Sequence, residues 1–426
     1  MVGSFVQSIV MITDASILSR YSTISFDASG NAGLIYLTLF MGLSGLGDAG
    51  QIIMARRIGE NQKSLINSIL QSSLLLNLFI GGIFFLIIQQ IVPAMLLGYS
   101  SNLGIANEQI DFLSIRSFGF FASAIMLSLN AFFLAIGKTW IILVSTVIFA
   151  ISNIILDVLL IFGTDSIPAM GVKGAALASV LAETTAILVL LVYLFFGKEK
   201  KTFALFSKIC PTFTQLKRIL SVGTPLLIQG FFALATWTVF FTWIEQKGVY
   251  ELTVSQNIRA VYFLAFVPIF GFGASTKTYV SQYLGLQKSE SISLIIRRMQ
   301  LLIVAFLLLF FHGALLYPEQ LVALINPEEA YIAESASILR LVFGSILLFG
   351  LTTPLFQTIN GSGNTRFTLF IEITSIVVYL SSAYLFLKVW NWEIYYVWLV
   401  EYVYFGTIAL LSLIYIKFFN WKDKVV

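Results

Sequence analysis

Apolar runs long enough to cross a bilayer follow one another along this chain almost from end to end. A helix spans the hydrocarbon core with about 20 apolar residues. The runs predict helices at roughly 1–18, 31–57, 65–96, 110–136, 139–162, 171–196, 218–246, 251–283, 291–316, 331–360, 365–388 and 393–418. They are continuous rather than alternating, which excludes a transmembrane β-barrel. Only 11% of the 426 residues are charged and 58% are hydrophobic, so no stretch is left for a separate soluble domain. The fold class is therefore an all-α polytopic membrane protein with twelve transmembrane helices. Several runs exceed the bilayer thickness and imply tilt or protrusion into water.

Lys and Arg set the orientation. With the N-terminus in the cytoplasm, 17 basic residues flank the inner ends of the spans and six flank the outer ends: Arg20, Arg116, Lys173, Lys247, Arg340 and Lys388. Arg259 and Lys277 fall inside a span. Both termini are thus expected on the cytoplasmic side of the membrane. The first residues, MVGSF, carry no basic segment of the kind that opens a signal peptide. One cysteine, Cys210, excludes an intrachain disulfide and a cysteine-based metal site. The single His312 ends an apolar run and reads as an interfacial residue. One histidine and no His/Asp cluster speak against a membrane-embedded enzyme. The net charge of +4 comes from loops flanking spans and is not a nucleic-acid signal.

The chain is duplicated. ARRIGENQKS (55–64) resembles SQYLGLQKSE (281–290), and the offset of 226 residues also pairs Gly45 with Gly271, Gly47 with Gly273, Gly137 with Gly363 and Thr139 with Thr365. Six spans per half give both halves one topology, a parallel repeat about an axis along the membrane normal. The reading is two pseudo-symmetric six-helix lobes, residues 1–196 and 217–426, joined by the basic cytoplasmic linker 197–216. At the same offset the start of the seventh span maps ahead of Met1, so the first helix is expected to lack its cytoplasmic start.

Carboxylates inside membrane spans are costly and mark an ion or substrate path by default. Asn153 and Asp157 lie four residues apart and share one face of the fifth span. Asp14 falls in the first span and Ser179 in the sixth. Two carboxylates, an amide oxygen and a hydroxyl are the hard oxygen donors a small cation prefers. Brought together, the two carboxylates would titrate as a pair, and Na⁺ and H⁺ would compete for one site. The alternative is that each Asp only hydrogen-bonds a neighbouring helix. Arg259, Lys277, Glu183, Glu372 and Glu401 are expected to form ion pairs inside the bundle, with Arg259 and Lys277 also candidates to face a substrate. Asn130, Gln229 and Gln357 complete the candidate cavity lining. Pro225, Pro268 and Pro354 lie inside spans of the second half, where each removes a backbone donor and can kink its helix.

These motifs resemble the multidrug and toxic compound extrusion (MATE) family, within the flippase superfamily that also holds lipid and polysaccharide exporters. The resemblance rests on ITDASILSR in the first span, the glycine-rich second span ending ARRIGENQ, and NAFFLAIGKT closing the fourth. SNIILDVLLIFG with MGVKGAALAS, and GTPLLIQG opening the seventh span, complete it. It covers essentially the whole chain. It implies a V-shaped pair of lobes around a central cavity and export driven by inward H⁺ or Na⁺. In the DinF-like branch the first-lobe ion site matches Asp14, Asn153, Asp157 and, with Ser in place of Thr, Ser179. The NorM-like branch has an acidic residue in the seventh helix where this chain has Ala233. The expected function is a monomeric antiporter that exports amphipathic, often cationic, compounds through the lipid bilayer by alternating access. No cofactor is expected beyond H⁺ or Na⁺. The runner-up is a flippase for lipids or lipid-linked saccharides, which a basic cavity at Arg259 and Lys277 would favour.

Overall fold

A computed structural model describes residues 10, 13–14, 16–18, 20–99, 103–208 and 210–423. Twelve helices organise it: α1 (Thr23–Gly59), α2 (Ile66–Gln90), α3 (Leu103–Arg116), α4 (Gly119–Ala135), α5 (Thr139–Phe162), α6 (Val172–Phe196), α7 (Phe213–Glu245), α8 (Val249–Gly285), α9 (Ile292–Phe310), α10 (Glu329–Gly361), α11 (Thr365–Tyr384) and α12 (Val400–Phe418). Among the described residues ten helices are long and apolar enough to cross a membrane, or eleven if the bent pair α3–α4 is one span. The expected first span, 1–18, lies largely outside the described residues; the other eleven each have a counterpart.

Two compact units emerge, Val2–Leu227 and Ile228–Val426. Their division falls inside α7, just after Pro225. In the first unit α1 packs on α2, α3 and α4, and α5 packs on α6. The α5–α6 approach is close enough to require Gly174, since a Cβ there would lie 2.5 Å from the Leu160 carbonyl oxygen. In the second unit α8 and α12 both pack on α10, and α11 packs on α12. Its core is aromatic: the Phe240 ring meets Tyr379 and Trp398 edge-on, with centroids 5.5 and 5.8 Å apart.

The duplication is visible in the backbone. Helices α1 and α8 begin and end 226 residues apart, at Thr23 and Val249 and at Gly59 and Gly285. After each comes a non-glycine residue in the left-handed region, Asn61 and Gln287, both with φ of 57°. The α4 and α10 ends repeat the pattern: Gly137 and Gly363 follow them with φ of 75° and 87°. There glycine meets no steric penalty.

The span expected at 110–136 is broken. α3 and α4 meet at a 45° bend without a proline. A side chain inserted from another helix explains the bend. Gln89 of α2 donates to the Ser114 carbonyl at 2.8 Å and to the Ser117 hydroxyl at 3.0 Å. It thereby satisfies backbone that the break leaves without helical partners, as membrane depth requires.

The basic run after α6 was read as a linker, and its middle is bound to the first unit. Leu205 is 1% exposed and Phe203 packs edge-on against Phe132. Asn67 Oδ1 accepts from Phe206 N–H at 2.9 Å, and the Gln71 amide bonds both Lys208 O (2.8 Å) and Cys210 N–H (2.9 Å). Ser68 donates to Cys210 O at 2.6 Å. Three polar residues in the first turns of α2 thus secure 206–210 through its backbone.

Candidate functional site

α5 places two of the expected residues by periodicity alone. Asn153 and Asp157, one turn apart, are 0% and 1% exposed. Asp14 lies in the short helical stretch before α1, half-buried, and its carboxylate interacts directly with that of Asp157. The two acids predicted to share a pocket are brought together. Ser179 sits half-buried on α6, the helix against which α5 packs.

What distinguishes the cluster is unused hydrogen-bonding capacity. Apart from the contact between the two carboxylates, both Asp157 oxygens, one Asp14 oxygen, and the oxygen and nitrogen of the Asn153 amide are buried with no hydrogen-bond partner among the described residues. A buried polar group left unmet costs about 1–3 kcal/mol, more when charged. Clustered orphans of this kind are the signature of a site that completes itself with something else. The donor set is oxygen-rich and hard, which suits a monovalent cation or a proton. No group of three or more His, Cys, Asp or Glu suited to a metal ion occurs among the described residues.

A second charged group stands beside it. Arg116, at the α3–α4 bend, pairs with Glu183 of α6 at 2.5 Å, and its guanidinium lies 3.9 Å from the centre of the Tyr36 ring. It is also within electrostatic reach of Asp14. Sequence position had assigned Arg116 to the outer flank of its span. At the bend its side chain is 13% exposed, and Glu183 meets the expectation of an internal ion pair.

Glu372 and Glu401 do not meet that expectation. No basic side chain pairs with either among the described residues; tyrosine hydroxyls hold both. Lys277 is 3% exposed, and its backbone lies where a Cβ on Gly361 would clash, so α8 and α10 touch there. The Arg259 guanidinium stacks on Phe241 at 4.8 Å. Of the candidate cavity residues, Asn130 belongs to the first unit and Gln229, Arg259, Lys277 and Gln357 to the second. Asn130 Oδ1 and Gln229 Nε2 are buried without partners among the described residues, whereas Gln357 accepts from Asn360 at 3.3 Å.

The family model described as MatE matches residues 1–159 and 225–385, most of both halves. The chain belongs to the MATE family. It is therefore a multi-pass membrane transporter of small molecules, not an enzyme. Among curated relatives, a probable multidrug resistance protein NorM of Thermotoga maritima is 25% identical over 376 residues, covering 87% of this chain and 79% of that protein. A probable NorM of Bacillus anthracis is 28% identical over 200 residues, covering 46% of this chain and 44% of its own length. In fold, the chain is similar to a MATE transporter solved in a straight conformation, with TM-score 0.87, 20% identity and coverage of 97% and 91%. An outward-facing multidrug resistance MATE transporter of the MOP superfamily superposes with TM-score 0.86 at 20% identity, covering 100% and 94%.

Proposed function

We propose that this MATE-family chain is a secondary antiporter that exports amphipathic, often cationic, drugs in exchange for H⁺ or Na⁺. One observation carries the coupling part of this reading: the Asp14–Asp157–Asn153 cluster of buried, unpartnered polar atoms. The relatives named as multidrug resistance proteins support the substrate class. Ser179 completes the ion site from α6. Two carboxylates facing each other in low dielectric repel unless a proton or a cation neutralises the pair. Ion uptake would then stabilise one transporter conformation over the other, and drug binding the opposite one. A ligand shifts such an equilibrium only through its different affinity for the two states.

The drug path would use Asn130, Gln229, Arg259, Lys277 and Gln357. The lobes would be residues 1–196 and 217–426 of a monomer with both termini in the cytoplasm. Arg259 supports a second reading, transport of lipid or lipid-linked saccharide. It is a cation resting on an aromatic ring with no acidic partner among the described residues, and such a group attracts phosphate.

The deciding experiment reconstitutes the protein in liposomes and measures efflux of a panel of cationic dyes under separately imposed pH and Na⁺ gradients. Efflux driven by one gradient and absent in Asp14→Asn and Asp157→Asn proteins that insert normally is the expected result. Wild-type efflux in both variants would remove the coupling site.

A further inference from the structure

Glu401 stands in the first turn of α12 and is 1% exposed. Its Oε2 accepts a hydrogen bond from the Tyr262 hydroxyl of α8 at 3.0 Å, and its Oε1 accepts one from Tyr379 of α11 at 3.1 Å. The Tyr262 hydroxyl lies 3.2 Å from that of Ser345, on α10. One turn along α12, Tyr404 donates to Glu372 of α11 at 2.5 Å. Glu372 is 4% exposed, and the Tyr379 and Tyr404 rings meet edge-on at 5.4 Å. Between Glu372 and Tyr379 on the same face of α11 sits Ser375, fully buried, its hydroxyl without a partner. The result is two neighbouring hydroxyl–carboxyl groups spread over four helices, Ser345–Tyr262–Glu401–Tyr379 and Tyr404–Glu372, which touch through the Tyr379 and Tyr404 rings.

Its electrostatics are one-sided. The groups facing Glu401 are Tyr262 from α8, Tyr379 from α11 and the Ser345 hydroxyl through Tyr262. Tyr404 faces Glu372 and carries an electrostatic interaction with both acids. Tyr402 turns away to the Leu341 carbonyl. Among the described residues no Lys, Arg or His is paired with either carboxylate. Two buried carboxylates in membrane-spanning helices without a counter-charge are too costly to stay ionised. Each Glu401 oxygen already accepts a tyrosine hydroxyl, which leaves a metal cation fewer free lone pairs than a bare carboxylate would offer. A proton requires only that one hydroxyl rotate from donor to acceptor, which tyrosine permits.

We infer that the C-terminal unit holds a proton-binding site of its own, centred on Glu401 between Tyr262 and Tyr379, with the Tyr404-bound Glu372 as its neighbour on the adjoining helix. It lies on other helices than Asp14 and Asp157 and does not depend on their role in coupling.

The test uses the full chain in lipid nanodiscs and pH-difference infrared spectra in the carbonyl-stretch region of protonated carboxyls. An Asp14→Asn/Asp157→Asn background removes the first-unit signal. The expected result is a protonated-carboxyl band that persists in this background and is lost or halved when Glu401→Gln or Glu372→Gln is added. Tyr379→Phe retains the carboxyl and removes one donor, and it should move the frequency and the titration midpoint of the band. It serves as the readout if the Gln variants do not fold. Absence of the band in the Asp background would overturn the proposal, as would a band unmoved by the Glu substitutions or by Tyr379→Phe. Efflux by the Asp variants is read separately, so failure here leaves the coupling proposal standing, and the reverse.

Discussion

Each unit buries a pair of carboxylates, and the two pairs are treated in opposite ways. In the first unit, Asp14 and Asp157 face each other, and beyond that contact three of their four oxygens and the whole Asn153 amide meet no partner among the described residues. In the second, Glu401 has both oxygens engaged by tyrosines and Glu372 has one. The lesson concerns what a buried acid is ready for. Unmet lone pairs leave room for an ion with its own coordination demands. A carboxylate already clamped by hydroxyls has room only for a ligand without volume.

The largest effect should come from breaking the open pair. Asp14→Asn or Asp157→Asn is expected to reduce ion-driven dye efflux by about tenfold or more, within the usual range of coupling between two sites. Resistance of an efflux-deficient host and liposome flux check it. Next is the ion pair beside that site. Glu183→Ala strands Arg116 in the interior and should cost about 3–5 kcal/mol, read as a large fall in the midpoint of heat-induced aggregation in detergent. Glu183→Gln keeps one acceptor and should lose less.

The clamped pair should respond more mildly to loss of one hydroxyl. Tyr404→Phe removes the one hydroxyl that donates to Glu372 among the described residues and is expected to cost about 1–3 kcal/mol, with dye efflux at a fixed Na⁺ gradient retained. If Tyr404→Phe destabilised the chain as much as Glu183→Ala, the contrast between open and clamped sites would be lost. The smallest expected change lies in the matched backbone turns. Gln287→Gly relieves a left-handed conformation worth about 1 kcal/mol and should raise the thermal midpoint slightly. Asn61→Gly should do less, because Asn tolerates that region better.

Much of this architecture is legible in the amino-acid order because the bilayer imposes a long period. Spans of about 20 apolar residues are hard to mistake, and the 226-residue offset identified in glycines reappears in helix ends and turn dihedrals. Asp14 and Asp157 stand out because a carboxylate within an apolar run is costly and marks an ion or substrate path by default. Other features rest on contacts distant in sequence. The α3–α4 bend has no proline to announce it; it is held by Gln89 from another helix. Arg116 looked like a flanking charge because it sits near where a straight span would end. The tyrosine clamps are hidden for a different reason, since tyrosine is common at membrane interfaces and its hydroxyl partner is chosen by packing. A basic run such as 197–208 reads as solvated loop, and nothing local reveals that Asn67, Ser68 and Gln71 wait for its carbonyls and amides.

That docking bears on how the gene can be cut. Anyone expressing the two halves as separate polypeptides would reach first for a break among the lysines at 198–201, the most polar stretch of the chain. Such a nick would leave the segment 203–210 covalently on the wrong fragment, with its buried Leu205 and Phe203 stripped of their seat and α2 missing its cover. A split placed after Cys210 keeps the strap with the body it belongs to, and fragments made that way are the ones to co-express.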